Sequence, residues 1–321
     1  MSVRMARNAT RLQLGPASCS TMCAVFLMAE PEPRMNDGVH DPKVMDGRRV
    51  AQAVLDRAQS KVERLKRERG VTPCLATVLV GSDPASATYV RMKRKRCADI
   101  GMTSLPVEMP ASTTTEELVA EIGRLARDVG VNGILLQHPV PGHIDERAAF
   151  EAITPGKDVD GVTATGLGLM WLGLNVFGSC TPAGIMSLLR AYAVDLAGKH
   201  AVVIGRSPIL GKPMAAMLLE ANATVTITHS RTRDVASLVR QADVIVAAVG
   251  KAHFVRGDWV KPGAVVVDAG YSEGNKGDVD YAAAYERASL ITPVPGGVGP
   301  MTIATLIEQT ADAALRQHGL T

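Results

Sequence analysis

Tyr89 and Lys93 stand four residues apart in the stretch YVRMKRKRC, which packs five basic side chains into the six positions from Arg91 to Arg96. On a helix, Tyr89, Lys93 and Arg96 share a face at i, i+4 and i+7, while Arg91, Arg94 and Lys95 point elsewhere. A tyrosine and a lysine so placed could serve proton transfer, provided burial disfavours the lysine's ammonium form. Two other readings stand beside this one: a solvated basic helix with a half-buried tyrosine, and an RNA-binding strip. The strip would need aromatics interleaved with the charge, and Phe, Trp and Tyr make up only 3% of the chain.

Further polar groups fall at ends of elements, where catalytic side chains gather in wound sheets. Gln137 closes the apolar run GILLQ, and Asp158 and Asp160 sit in PGKDVDG at 155 to 161. Each has a bland alternative, a loop anchor for the glutamine and a plain turn for the aspartates. Gly205 ends the run HAVVIG and Gly211 opens the next helical pattern, so the loop RSPILG could offer backbone N–H groups to a phosphate. Ser207 and Leu210 occupy two positions that are glycine in the usual dinucleotide fingerprint, so a turn without a ligand stays open for this loop. The following strand ends in His229, Ser230 and Arg231, where an NAD enzyme presents an acid to the ribose. Hydroxyl and guanidinium groups there favour a 2′-phosphate, hence NADP, although a solvated turn could carry the same residues.

The elements that must hold these groups alternate. Val50, Val54, Ala58, Val62 and Leu65 recur at helical spacing between Asp46 and Arg69. A strand at 74 to 81, the helix bearing Lys93, a strand from Thr103 to Met109, a helix from Thr115 to Asp128 with Leu118, Ile122, Leu125 and Val129 inward, and the strand 133 to 137 follow. The second half repeats the pattern through strands at 200 to 205 and 224 to 230, helices at 212 to 221 and 235 to 241, strands near 243 to 250 and 264 to 270, and a last helix from Thr302 to Gln317. Such alternation predicts an α/β protein with two wound parallel-sheet domains, the second a Rossmann-type dinucleotide-binding domain, and a C-terminal helix packing back on the first. The expected boundaries are 43–179 for the first domain, completed by 300–321, and 180–299 for the second.

Composition narrows the classes. Lys and Arg number 35 against 32 Asp and Glu, and Arg4, Arg7 and Arg11 in an acid-free opening segment account for that excess. The remainder is formally neutral, which argues against a polyanion binder. Five cysteines without CxxC spacing and scattered histidines suggest neither a disulfide framework nor a metal site, and no apolar run is long enough for a membrane span.

Taken together, DGRRVA at 46, PCLATVLVGSDPASATYVRMKRKRC at 73, GILLQHPVPGHID at 133, PGKDVDG at 155, SCTPAGIMSLL at 179, VVIGRSPILGKPMAAMLL at 202, ADVIVAAVG at 242 and TPVPGGVGPMTIATLIEQT at 292 resemble the bifunctional methylenetetrahydrofolate dehydrogenase/cyclohydrolase family, over about 43 to 318. The resemblance implies oxidation of 5,10-methylenetetrahydrofolate with NADP and hydrolysis of the methenyl product to 10-formyltetrahydrofolate in one cleft, by a cytoplasmic homodimer serving one-carbon metabolism and purine biosynthesis. It makes Lys93 the catalytic lysine, Tyr89 the tyrosine that stacks on the aminobenzoyl ring, Gln137 the lysine's partner and Asp160 the carboxylate that grips the pterin. Gly205, Arg206, Ser207, Gly211, Ser230 and Arg231 become the cofactor-binding set. His138, Gly166, Tyr271 and Ser272 depart from the family's usual leucine, asparagine, isoleucine and asparagine and are expected to alter the pocket wall. An NADP dehydrogenase of another small substrate, or a noncatalytic dinucleotide- or RNA-binding module, would remain if methenyltetrahydrofolate were not hydrolysed.

Residues 1 to 42 show no apolar periodicity and contain Pro31, Pro33 and Pro42, so they read as a dispensable tail, or, in a eukaryote, as an import segment. A chain starting at Met35 is expected to melt with the full-length protein and to keep both activities; a drop of more than a few degrees would show that the tail packs on the body.

Overall fold

The structure, a computed structural model, describes residues 41–81 and 84–320, with the backbone alone for 84–89. The expected tail therefore lies outside the described residues except for its last two. Of these, Asp41 accepts a hydrogen bond from the Tyr285 hydroxyl.

In chain order the elements are α1 (Gly47–Arg69), β1 (Cys74–Val80), α2 (Pro84–Asp99), β2 (Thr103–Met109), α3 (Thr115–Arg127), β3 (Gly133–Leu136), α4 (Glu146–Glu151), α5 (Ala164–Trp171) and α6 (Cys180–Ala191). The second half continues with β4 (His200–Ile204), α7 (Gly211–Glu220), β5 (Thr224–Thr228), α8 (Val235–Val239), β6 (Val244–Ala247), β7 (Val265–Asp268), α9 (Tyr281–Tyr285), β8 (Leu290–Ile291) and α10 (Val298–Gln317). Every strand pair is parallel, in two sheets of order β2-β1-β3 and β5-β4-β6-β7-β8.

Side-chain alternation splits the strands between three apolar clusters. Leu75 and Leu135 of the first sheet and Ala201, Val203, Val244, Val246 and Val267 of the second face one shared cluster, built on α1, α6 and α10. Ala76, Val78, Ile134 and Leu136 point the other way, toward α3 and α4. Val202, Ile204, Ile245 and Val266 do the same in the second sheet. The two sheets thus rest on a common helical layer.

Sequence chemistry sets the ends of that layer. Asp46 caps α1 by accepting from the Arg48 amide at 2.9 Å, and Gly70 closes it at φ 69°. The segment before α1 joins the edge of the second sheet, because Met45 donates to the Ile291 carbonyl and Ile291 to that of Lys43, both at 2.8 Å. Gly47 permits this approach, since a Cβ there would sit 1.7 Å from the Gly297 carbonyl oxygen. The last helix does pack back on α1: Lys61 reaches Glu308 at 3.0 Å, Arg57 reaches Glu308 at 3.1 Å, and Gln317 binds Asn132 at 2.9 Å.

Two expectations need correction, and four short elements lie outside the expected set. Val129 is not inward but 91% exposed, because α3 stops at Arg127 and Asp128 turns extended, which takes Val129 off the helical stripe. The last helix starts at Val298, not Thr302; Pro300 falls in its first turn, where a missing N–H costs nothing. The short elements α4, α5, α9 and β8 are too brief to show a period.

Candidate active site

Among the described side chains of α2 the buried ones are Val90, Lys93 and Cys97, and Ile100 just past its end continues the i, i+3, i+7, i+10 stripe of a core helix. Lys93 therefore holds a position that packing would give to an apolar side chain, and it is only 9% exposed. Arg96 does not share that face, contrary to the expectation from spacing. It sits one residue short of buried Cys97, at the rim, where it pairs with Asp99 at 3.4 Å beside the Lys95–Asp99 pair at 3.0 Å. Arg91 and Arg94 are exposed. Tyr89 lies on the same helix, but its side chain is outside the described residues.

The Lys93 amine donates to Gln137 Oε1 at 3.0 Å. Gln137 is fixed by its own backbone, whose N–H extends the β1–β3 ladder to the Val78 carbonyl at 2.8 Å, and by Nε2 donating to the His138 carbonyl at 2.9 Å. Both residues line a cavity of about 80 Å³ with His138, Asp160, Cys180, Thr181, Ile209 and Thr302. The two aspartates of KDVDG part ways here. Asp158 is buried and saturated by the Val162 and Thr163 amides at 3.0 Å and the Thr163 hydroxyl at 2.7 Å, so it is the anchor of the turn. Asp160 is left to face the cavity.

Burial pushes the Lys93 pKa below its ordinary 10.5, and the nearby Asp160 and Cys180 only partly oppose this. Burial likewise raises the Asp160 carboxyl, against the pull of Lys93 and His138. Burial, with the nearby Asp160 carboxyl, drives the Cys180 thiol well above its usual range and so favours its protonated form. The cavity thus offers an amine with a low cost of deprotonation, a neutral amide holding it, and a carboxyl group across from it.

A second cavity, of about 270 Å³, lies at the carboxyl ends of β4, β5 and β6. Within its sheet the strands run second-first-third-fourth-fifth, so this is the switch point where wound sheets bind nucleotides. Gly205, Arg206, His229, Ser230 and Lys251 line it. The hydroxyl of Thr228, a fully buried residue of the same lining, has no hydrogen-bond partner among the described residues. Gly205 is needed where it stands: at φ 125°, a Cβ would lie 2.2 Å from the Ala248 oxygen. Three of the expected cofactor residues sit elsewhere. Ser207 Oγ accepts from the Leu210 and Gly211 amides at 3.2 and 3.3 Å, capping the start of α7. Gly211 packs on the Gly205 carbonyl, 2.3 Å from where a Cβ would be, and Arg231 is exposed beyond the strand end.

Of the four departures, His138 alone lines the Lys93 cavity among the described residues. Gly166 is buried against Asp158 and Thr163, Tyr271 bonds Asn275 at 2.9 Å on the surface, and Ser272 pairs with Lys276 in a small hairpin. The expectation that all four reshape the pocket wall is thus corrected to one. Cys180, Thr181, Ile209 and Thr302 were not singled out from sequence, though SCTP, GRSPILG and GPMT carry them. Ile209 has a further meaning. It belongs to the 205–211 loop, so the loop that shapes the second cavity also walls the first.

The model of the tetrahydrofolate dehydrogenase/cyclohydrolase catalytic domain matches residues 45–160, and that of the family's NAD(P)-binding domain matches 179–318. The chain belongs to this family. Bifunctional protein FolD 1 of Streptomyces avermitilis is 60% identical over 278 residues, 87% of this chain and 97% of that protein. Bifunctional protein FolD of Saccharophagus degradans is 59% identical over 276 residues, 86% of this chain and 99% of that protein. Among solved structures, the bifunctional FolD methylenetetrahydrofolate dehydrogenase/cyclohydrolase of Campylobacter jejuni superposes with a TM-score of 0.83 at 45% identity, covering 85% of this chain and 98% of its own. The Trypanosoma brucei enzyme, complexed with NADP cofactor and inhibitor, gives 0.82 at 39% identity, covering 88% and 99%.

A lysine whose folded pKa is depressed binds its proton less well folded than unfolded, so it costs stability at neutral pH, and that cost fades as pH rises toward 10.5. Lys93→Met is therefore expected to melt no lower than the parent at pH 7, with any advantage shrinking in alkali, while hydrolysis of methenyltetrahydrofolate falls by about 10²–10⁴-fold, the usual worth of a general base. Thermal melts at pH 7 and 10 and a cyclohydrolase assay check both; parent-like hydrolysis would remove Lys93 from the reaction.

Proposed function

We propose that the Lys93 cavity is the folate site at which this chain carries out both reactions of its family, oxidation of 5,10-methylenetetrahydrofolate with NADP and hydrolysis of the methenyl product to 10-formyltetrahydrofolate. The observation that carries the reading is the buried Lys93 amine, hydrogen-bonded at 3.0 Å to an uncharged partner. Neutral Lys93 takes a proton from the water that attacks the methenyl carbon, then returns it to N5 as the C–N5 bond breaks; the second proton leaves to solvent. Gln137 holds the amine on line without a charge that would keep it protonated. Asp160 accepts hydrogen bonds from the aminopyrimidine edge of the pterin, and Tyr89 supports the aminobenzoyl ring. Bound NADP supplies the oxidising power of the first reaction, and the chain's part in that step is to orient the two reactants.

The second cavity fits the dinucleotide: Gly205 lets the backbone approach, Thr228 leaves an unpartnered hydroxyl, and Arg206, Ser230 and Lys251 offer donors to a phosphate. Arg231 stands near the same strand end, while Ser207 and Gly211 shape the loop. On this reading residues 43–179, completed by 300–321, form the folate-binding domain and 180–299 the NADP-binding domain. Among the described residues no helix is long and apolar enough to cross a membrane. The buried free thiols of Cys74, Cys97 and Cys180 suit a reducing cytoplasm, from which 10-formyltetrahydrofolate would supply purine biosynthesis, with no nucleic-acid partner.

A spectrophotometric assay with methylenetetrahydrofolate is expected to show kcat/KM higher with NADP than NAD by about 10-fold or more, the worth of one charge-assisted contact. Arg206→Ala should erase most of that preference; equal efficiency of the two cofactors in the parent would refute the phosphate reading.

The homodimer would form along β5, the free edge of the second sheet. Ile227 on that strand is 36% exposed, Leu219 is exposed on α7, which packs beside β5, and Trp171, Leu172 and Leu174 are exposed at and just after the end of α5, which packs on α7. Light scattering at micromolar concentration should give twice the chain mass for the parent and a shift toward monomer for Leu172→Glu; a monomeric parent would end this proposal.

A further inference from the structure

Asp160 and Cys180 wall the same cavity, yet neither belongs to a sheet. Asp160 lies in the turn 158–161 and Cys180 is the first residue of α6, and α5 separates the two in sequence. What joins them is a side chain from a third place, Gln309 on α10. Its Nε2 donates to the Val159 carbonyl at 2.8 Å, to the Gly178 carbonyl at 2.9 Å and to Cys180 Sγ at 3.4 Å, while its Oε1 accepts from the Gly178 amide at 3.1 Å. Every group of that amide is used across the junction. The Ser179 hydroxyl to the Gly161 carbonyl at 2.7 Å and the Cys180 amide to the Asp160 carbonyl at 3.3 Å complete the seam.

We propose that Gln309 is a positioning residue for the folate site, setting where Asp160 and Cys180 stand by bridging their two segments from α10. The proposal rests on the assignment of Asp160 to the pterin. The same helix enters the cavity directly through Thr302, whose hydroxyl lies 3.0 Å from that of Thr181. A side chain that only stabilised the fold would not distinguish the two ligands. Gln309 touches one wall of the folate cavity through Cys180, and its partners Val159, Gly178 and Cys180 do not line the dinucleotide cavity. A buried carbonyl stripped of its donor moves to find another, and Val159 and Gly178 would carry Asp160 and Cys180 with them.

The test uses the full chain with Gln309→Met, which keeps the length and apolar stem and removes the amide. The folate KM is expected to rise at least about 10-fold while the NADP dissociation constant stays within about 2-fold, at a temperature well below the variant's melting point. Gln309→Asn, with an amide one methylene shorter, should fall between parent and Met variant, and it takes the same readout if the Met variant does not fold. Asp160→Asn separates the two layers of the reading. If it leaves the folate KM unchanged, the assignment of Asp160 fails. If it raises that KM but Gln309→Met and Gln309→Asn do not, or raise folate and NADP constants together, the bridging role of Gln309 is overturned.

Discussion

The active cavity depends on one awkward placement, a lysine in the core stripe of a helix. Val90 and Cys97 on α2 and Ile100 just after it are buried as apolar residues should be, and Lys93 is carried inside with them. Its amine is largely withdrawn from bulk water, so its pKa falls, and the hydrogen bond to Gln137 is its support among the described residues. The identity of that partner matters. A carboxylate in Gln137's place would repay the ammonium and restore its proton, whereas an amide oxygen fixes the nitrogen and leaves its charge state to burial. Asp160 is close enough to oppose the shift, but its own burial raises its pKa and blunts that effect.

Holding an amine there requires walls that do not yield, and those come from a layer that serves both sheets. α1, α6 and α10 pack on the inner faces of the two sheets at once. α6 begins at Cys180 in the cavity, and α10 supplies Thr302. The chain before α1 is stitched to β8 of the second sheet, while α1 itself covers the first. A hinge between the sheets would therefore have to disturb a continuous apolar core, not a simple linker, and the packing density of such cores resists small adjustments.

Much of this was legible in the sequence because the long elements obey a period. Apart from β8, the strands of both sheets and α1, α3 and α7 follow from alternation or helical spacing; Gln137 follows the carboxyl end of β3 and Lys93 lies on the helix after β1, near the ends where wound sheets collect function. Reading failed where geometry is set from afar. Arg96 and Lys93 look equivalent by spacing, and only the packing of Cys97 decides which one is inside. Val129 continues the apolar period of α3 on paper, but a single extended residue, Asp128, ends it. Asp158 and Asp160 are two letters apart in one turn, and the difference between anchor and ligand group lies in who donates to the first. Ser207 reads as a cofactor contact by its place in the loop, and its Oγ accepts from the Leu210 and Gly211 amides at the start of α7, a local tie that spacing does not reveal.

The loop from Gly205 to Gly211 ties the two cavities more closely than either sheet does. Its first residues floor the dinucleotide cavity, and four residues later Ile209 closes a side of the Lys93 cavity. Ser207 pins the loop's far end to α7, and Gly211 lets that helix start directly against the Gly205 carbonyl. Because Gly205 and Arg206 line one cavity and Ile209 the other, any displacement of this short tethered loop would move residues of both walls, so the geometry of the two cavities is set by one piece of backbone.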